Sequence, residues 1–368
     1  MRRVFAFFMA LTLCLLPVAN AMGAPGVSAK SYILMDAGTG TVLAERNPDE
    51  QMLIASTTKI MTAALVLEES DPDALVEIRP EHVGIEGSSM YLRAGEEVTV
   101  RDLLYGLMLA SGNDAAVALA YHIAGGIPEF ARRMNEKAGE IGMTNSHFVN
   151  PHGLDAEGHY ATARDMAILT AWAMGLDGFR EIVSTRSVQA GGRSLVNHNK
   201  LLWRYPGALG VKTGFTKASG RSLVSAAERD GTLLICVTLS APDDWDDHAA
   251  LFDWGFARFK YHAPVTEGQV FATVPVISGT ANRVDLVAEM RLSLLVSPDD
   301  KVEIRVEAPR FVYAGLRGGE QAGKVSVLIN GEVTLETRLL YAETIPVDES
   351  IRLNFWEELR WNFRQMRR

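Results

Sequence analysis

Two β-prone runs, 31–36 and 41–46, flank Gly38-Thr39-Gly40 and predict a hairpin near the N-terminal end. From 56 to 69 the apolar spacing becomes helical. Ile60, Ala63, Ala64 and Leu67 fall on one face, and Ser56 stands where the helix would start. Residues 101 to about 176 read as mostly helical, with breaks at Ser111-Gly112-Asn113 and Pro151-His152-Gly153. Strand character returns at 209–212, 222–227 and 232–239, and Asp230-Gly231 joins the last two as a hairpin. Strands at both ends with helices between predict an α+β domain with a mostly antiparallel sheet. After about Pro264 the pattern changes to short β-branched runs at 270–276, 283–287, 293–296, 302–306, 324–329 and 332–340. With Asn330-Gly331 as a hairpin turn, these predict a separate, small all-β module.

The two ends differ from the body. Met1-Arg2-Arg3, an apolar run over 4–18 and Ala19-Asn20-Ala21 make a signal peptide pattern, cut after Ala21 or Ala24. The run is short for a membrane span of ~20 residues. At 100° per residue, Phe355, Trp356, Leu359, Phe363 and Met366 share one arc, while Arg360, Arg364, Arg367 and Arg368 lie off it. A basic, aromatic-rich amphipathic helix at a terminus predicts anchoring at a membrane surface. The expected layout is therefore 1–24 signal peptide, 25–262 catalytic domain, 263–347 all-β domain and 348–368 anchor. The expected location is the outer face of the cytoplasmic membrane.

Composition narrows the function. Of 368 residues 48% are hydrophobic and 22% charged, so the chain can build cores and is not a disordered polymer. A net charge of −9 argues against nucleic acid as a partner. Once Cys14 leaves with the signal, Cys236 stands alone in an apolar strand, so no intramolecular disulfide is expected.

Three short motifs occur in order: Ser56-Thr57-Thr58-Lys59, Ser111-Gly112-Asn113 and Lys212-Thr213-Gly214. Ser-x-x-Lys alone is expected by chance about once in a chain of this length. The ordered set, each member at an element boundary, is far rarer. On a helix i and i+3 share a face, so the Lys59 amine can sit beside the Ser56 hydroxyl. Serine needs a base, and a lysine near its reference pKa of ~10.4 is a poor one. If Lys212 sits ~5 Å from Lys59 at a dielectric of ~20, repulsion of ~3 kcal/mol supplies much of the needed drop, with desolvation supplying the rest. Gly214 would let the strand edge lie close to a peptide-like substrate, and Gly112 would permit a tight turn.

With these motifs the sequence resembles the D-alanyl-D-alanine carboxypeptidases, the low-molecular-mass penicillin-binding proteins. The likeness extends through 54–62, 110–115, Asn150-Pro151-His152-Gly153-Leu154 and 210–216, and over the β module and tail. Residues 241–245 resemble the sporulation-associated Gram-positive branch. The resemblance implies a β-lactamase/transpeptidase-like catalytic fold and removal of the terminal D-alanine from peptidoglycan pentapeptide stems. In that scheme Ser56 is acylated, Lys59 is the base, Ser111 relays a proton and Asn113 bonds the substrate amide or Lys59. Lys212 and Thr213 face the terminal carboxylate, and the N–H groups of Ser56 and Phe215 form the oxyanion hole. β-Lactams would acylate the same serine, and no cofactor or metal is implied. Some relatives carry an arginine shortly before the Trp-Gly-Phe segment, aimed at the substrate carboxylate. Here that stretch is Asp243-Asp244-Trp245-Asp246-Asp247, which leaves the carboxylate's second partner open.

Alternatives remain at this point. A β-lactamase-like hydrolase or a D,D-endopeptidase would share the fold, although the Glu-x-x-Leu-Asn signature of many lactamases is absent from the sequence. His147, His152 and His159, with Asp155, are a weak metal pattern. His152 reads better as a loop hydrogen-bonder, with the other two at the surface. A non-catalytic envelope scaffold is the third class.

Overall fold

The structure, a computed structural model, describes residues 23–351 and Arg360. The expected signal core and nearly all of the expected anchor helix lie outside the described residues. The chain divides into two compact units, Met1–Ala257 and Arg258–Arg368.

The first unit is built on a five-stranded antiparallel sheet. Its strands are β1 (Ser31–Asp36), β2 (Val42–Arg46), β3 (Ala208–Thr216), β4 (Gly220–Arg229) and β5 (Thr232–Leu239), in the order β2-β1-β5-β4-β3. Its longer helices are α1 (Lys59–Glu69), α2 (Val100–Leu109), α3 (Asn113–Ala124), α4 (Ile127–Glu140), α5 (Ala163–Ala173) and α6 (Asp244–Arg258), and short helical turns span Phe179–Ser184 and Leu201–Arg204. All six β1 residues are buried, because both faces of the sheet are covered. On one face Ile33, Met35, Val224, Ile235 and Val237 join a core with the buried sides of α1, α2, α3 and α5. On the other lies α6. Its His248 bonds Ser225 of β4 and Thr238 of β5, and its Gly255 packs onto Leu34 and Leu234. Cys236 is free and buried. The β4–β5 hairpin turns at Asp230 (φ 50°) and Gly231 (φ 77°), the left-handed pair that a two-residue hairpin requires.

The helical expectation over 101–176 fails between α4 and α5. Residues 141–162 form a loop tied down by the bridges Met52↔Ala161 and His147↔Tyr160. Gly142, Gly153 and Gly158 all take positive φ there, and Pro151 withholds a backbone donor, so apolar spacing is overridden by turn chemistry.

The second unit is all β. Val302–Glu307, Gln321–Ile329, Glu332–Tyr341, Arg283–Ala288, Val270–Ile277 and Val312–Tyr313 form a six-stranded sheet in that order. Lys260–Val265 pairs with Leu292–Val296. Asn330 (φ 53°) and Gly331 (φ 90°) make the expected turn, and Val274, Val284, Leu286, Val325, Val327 and Leu339 fill the core.

Candidate active site

Ser56 sits in a 3-10 turn, Ala55–Thr58, that runs directly into α1. The serine is therefore carried on a tighter turn than an α-helical N-cap. Ala55 before it takes φ 46°, a strained region for a residue with a Cβ. The turn is clamped from three sides. Thr57 Oγ1 donates to the Ile54 carbonyl at 2.6 Å, and Thr58 Oγ1 meets both the Ala55 carbonyl and His159 Nε2. Gly153 lies so close that a Cβ there would fall 1.9 Å from the Ala55 carbonyl oxygen.

Lys59, fully buried, spends its amine on three groups. Nζ lies 2.9 Å from Ser56 Oγ, 2.7 Å from Asn113 Oδ1 and 2.7 Å from the His152 carbonyl. Asn113 is oriented by its own amide, whose Nδ2 donates to the Glu86 carbonyl at 2.5 Å. That bond fixes Oδ1, not Nδ2, toward the lysine. The next residue, Asp114, gathers the loop before α2: its carboxylate accepts from Ser89 Oγ and from the N–H groups of Met90 and Leu92. Thus α3 presents Asn113, and Asp114 behind it fastens the segment that holds Asn113 in place.

Ser111 occupies the turn between α2 and α3 with φ 60° and only 4% exposure. Among the described residues no hydrogen bond joins it to Ser56 or Lys59. The left-handed residue of this turn is Ser111, whereas Gly112 has an ordinary φ of −59°. Gly112 is required for space instead: a Cβ would lie 2.8 Å from Asp114 Oδ1 and 3.1 Å from Met90 N.

Lys212, Thr213, Gly214 and Phe215 lie on β3, the edge strand beside the Ser56 turn. The close approach at Gly214 is to the protein itself. A Cβ there would sit 2.9 Å from the Ile54 carbonyl and 3.2 Å from Thr57 Cγ2. Lys212 is buried and donates to the Thr213 carbonyl at 2.9 Å, while Phe215 is 66% exposed.

Burial and charge set the proton affinities. Burial, and after it the Lys212 ammonium, hold Lys59 well below the ordinary lysine value. The order is the reverse of the sequence expectation, which gave the larger share to repulsion. Desolvation dominates because the amine has no solvent contact, and the Asp114 carboxylate opposes the shift. Burial also pushes Lys212 down to about 7.

The loop 150–154 is a part of the site that spacing did not reveal. Its His152 carbonyl is an acceptor for Lys59, its Pro151 carbonyl accepts from Thr62 Oγ1, and Asn150 Oδ1 fastens the N–H groups of His152 and Gly153. A carbonyl ligand leaves no side-chain signature; only the turn sequence Asn150-Pro151-His152-Gly153 hints at it. His159 corrects the surface reading, since it is 2% exposed and bonded to Thr58 and the Val149 N–H. His147 is exposed and contacts the Gly158 carbonyl. His152 Nδ1 accepts from the Leu154 N–H, so the three rings serve separate bonds. Among the described residues no cluster of three His, Cys, Asp or Glu is placed to hold a metal.

The chain matches known proteins over both units. Residues 18–243 match the D-alanyl-D-alanine carboxypeptidase family, and residues 259–347 match the C-terminal domain of penicillin-binding protein 5. The chain is 33% identical over 327 residues to D-alanyl-D-alanine carboxypeptidase DacF of Bacillus subtilis, covering 84% of each chain. It is 34% identical over 343 residues to DacC of Escherichia coli, covering 88% of this chain and 85% of that one. Among solved structures, penicillin-binding protein 5 from Haemophilus influenzae superposes with a TM-score of 0.72 at 31% identity. That match spans 88% of this chain and 99% of the other.

Proposed function

The chain belongs to the D-alanyl-D-alanine carboxypeptidase family, and on that premise we propose how its own residues remove the terminal D-alanine of a peptidoglycan stem peptide. It is a serine-type carboxypeptidase of the penicillin-binding protein class. The reading of its mechanism is carried by one observation, the three contacts of Lys59. Two of them, the Asn113 and His152 oxygens, can only accept. A neutral amine has two N–H groups and one lone pair. With both N–H groups committed to those oxygens, the lone pair is left for the third neighbour, the Ser56 hydroxyl.

Lys59 takes the Ser56 proton as Oγ attacks the penultimate D-Ala carbonyl. The oxyanion forms against the N–H groups of Ser56 and Phe215. Collapse breaks the peptide bond, and the leaving amine of the terminal D-Ala receives a proton through Ser111. Water, deprotonated by the same base, then releases the shortened peptide and restores Ser56. Lys212 and Thr213 hold the terminal carboxylate. β-Lactams acylate Ser56 along the same route. The lactamase-like alternative is not favoured, because the matching relatives bear carboxypeptidase names.

Export by the N-terminal signal pattern and attachment through the basic amphipathic tail at 348–368 belong to the same proposal. No helix among the described residues is long and apolar enough to cross a membrane. Removing 350–368 should free the protein from membranes and spare activity on soluble peptide. Pelleting of the truncated protein with membranes would reject the anchor.

The deciding experiment has two readings on one preparation. D-Ala release is measured from a peptide ending in D-Ala-D-Ala, and the penicillin adduct is located by intact mass and peptide mapping. Release of D-Ala and an adduct on Ser56 are expected. An adduct elsewhere, or none, removes the proposal.

A further inference from the structure

A C-terminal carboxylate is best held by a cation with a planar pair of donors. The arginine that some relatives place before Trp-Gly-Phe is absent here, and Asp244 stands in that stretch. The structure shows what Asp244 does. It is 2% exposed at the first residue of α6, and both of its oxygens accept from Arg221 Nη2, at 2.7 and 2.9 Å.

Arg221 lies on β4, the strand beside β3. Its register partner on β3 is Phe215, the residue after Lys212-Thr213-Gly214. Residues 221, 223 and 225 share one face of β4, and Thr213 and Phe215 share that face of β3. Ser225 is bonded to His248 on α6, so this is the α6 side. Thr213 pairs with Leu223, which makes Arg221 its diagonal neighbour, a spacing of ~7–8 Å that a long side chain readily spans. Because β3 is an edge strand, an arginine on this face can reach the strand margin where a bound peptide's terminus would meet Thr213. The guanidinium is also held in place. It lies over the Trp245 ring, 5.5 Å from its centroid, and keeps 41% side-chain exposure. Among the described residues its hydrogen bonds use Nη2 alone, which leaves Nη1 and Nε for a ligand.

We propose that Arg221, oriented by Asp244 and Trp245, is the second recognition group for the terminal carboxylate of the substrate, acting with Lys212 and Thr213. The acidic start of α6 then has a purpose: it positions an arginine supplied by the neighbouring strand. Asp244 neutralises the guanidinium, so the net positive charge of the subsite comes from Lys212. Arg221 contributes directed hydrogen bonds. This assignment rests on the carboxypeptidase reading above.

The test compares kcat/KM for a peptide ending in free D-Ala-D-Ala with that for its C-terminal methyl ester. The wild type should favour the free carboxylate. In Arg221→Gln the preference should shrink about 10- to 100-fold, the scale of a lost charge-assisted bond, mostly through KM. Arg221→Lys should recover part of it. A structural role would lower both substrates alike and leave the ratio unchanged, and that result overturns the proposal. So would a wild type indifferent to the ester. Should Arg221→Gln fail to fold, the ratio is read on Arg221→Lys, where an unchanged value again overturns it. Failure of the carboxypeptidase reading is distinct: the wild type would release no D-Ala at all.

Discussion

Lys212→Met isolates the energetic cost of the site. The ammonium is 1% exposed, and burial lowers it from 10.5 to about 7. The unfolded chain keeps Lys212 near 10.5, so between pH 7 and 10.5 the unfolded state holds the extra proton. Stability therefore rises with pH across that window, by up to about 1.4 kcal/mol per pH unit from this group. At and below pH 7 the buried lysine costs about 4 kcal/mol. Methionine matches the stem, carries no charge and forfeits the bond to the Thr213 carbonyl, worth about 1 kcal/mol. The variant should be about 2–3 kcal/mol more stable at pH 7, a Tm increase of roughly 4–10 °C for a domain of this size. It should also acylate penicillin poorly, a trade of activity for stability. Thermal unfolding by circular dichroism from pH 6 to 10 reads the effect. The gap between variant and wild type should be widest at pH 6–7 and close as the pH rises toward 10.5. A variant that melts lower at pH 7, or a gap independent of pH, refutes the desolvation argument.

Three other expectations are direct. Lys59→Ala should abolish penicillin labelling while the far-ultraviolet spectrum stays native; retained labelling would remove Lys59 as the base. Gly214→Ala should destabilise by about 1–3 kcal/mol and slow acylation, because its Cβ would press on the Ile54 carbonyl at 2.9 Å; unchanged acylation kinetics would show that the β3–Ser56 contact is slack. His248 is fully buried and held down to about 3 by burial. The unfolded chain protonates it near 6.5, so stability should fall as pH drops below 6.5 and continue to fall toward 3. His248→Gln should flatten that acid limb in urea titrations, and an unaltered limb would assign it to other groups.

Much of the site is legible in the sequence because its parts are local. Ser56 and Lys59 are one turn apart, and i to i+3 proximity follows from helix geometry alone. Asp230-Gly231 and Asn330-Gly331 announce their hairpins because few residues tolerate the left-handed pair. The all-β unit shows in its short β-branched runs. The loop 141–162 was harder: its apolar residues imitate helical spacing, and the turn residues that overrule it are scattered.

Contacts between distant segments belong to the tertiary structure. Period and propensity determine which residues share a face, not which face meets which. Only packing brings the His152 carbonyl, 93 positions away, onto Lys59, and sets Gly214 and Gly153 against the Ser56 turn. Burial is likewise a property of the assembled unit. The sequence shows two lysines that belong together by chemistry, but desolvation by the surrounding core, not their mutual repulsion, chiefly lowers Lys59. The acidic stretch 243–247 is read in the chain as a missing arginine. The register of β4 against β3 decides that an arginine stands there after all, brought by another strand, because hydrogen-bonded pairing fixes neighbours that lie far apart along the chain.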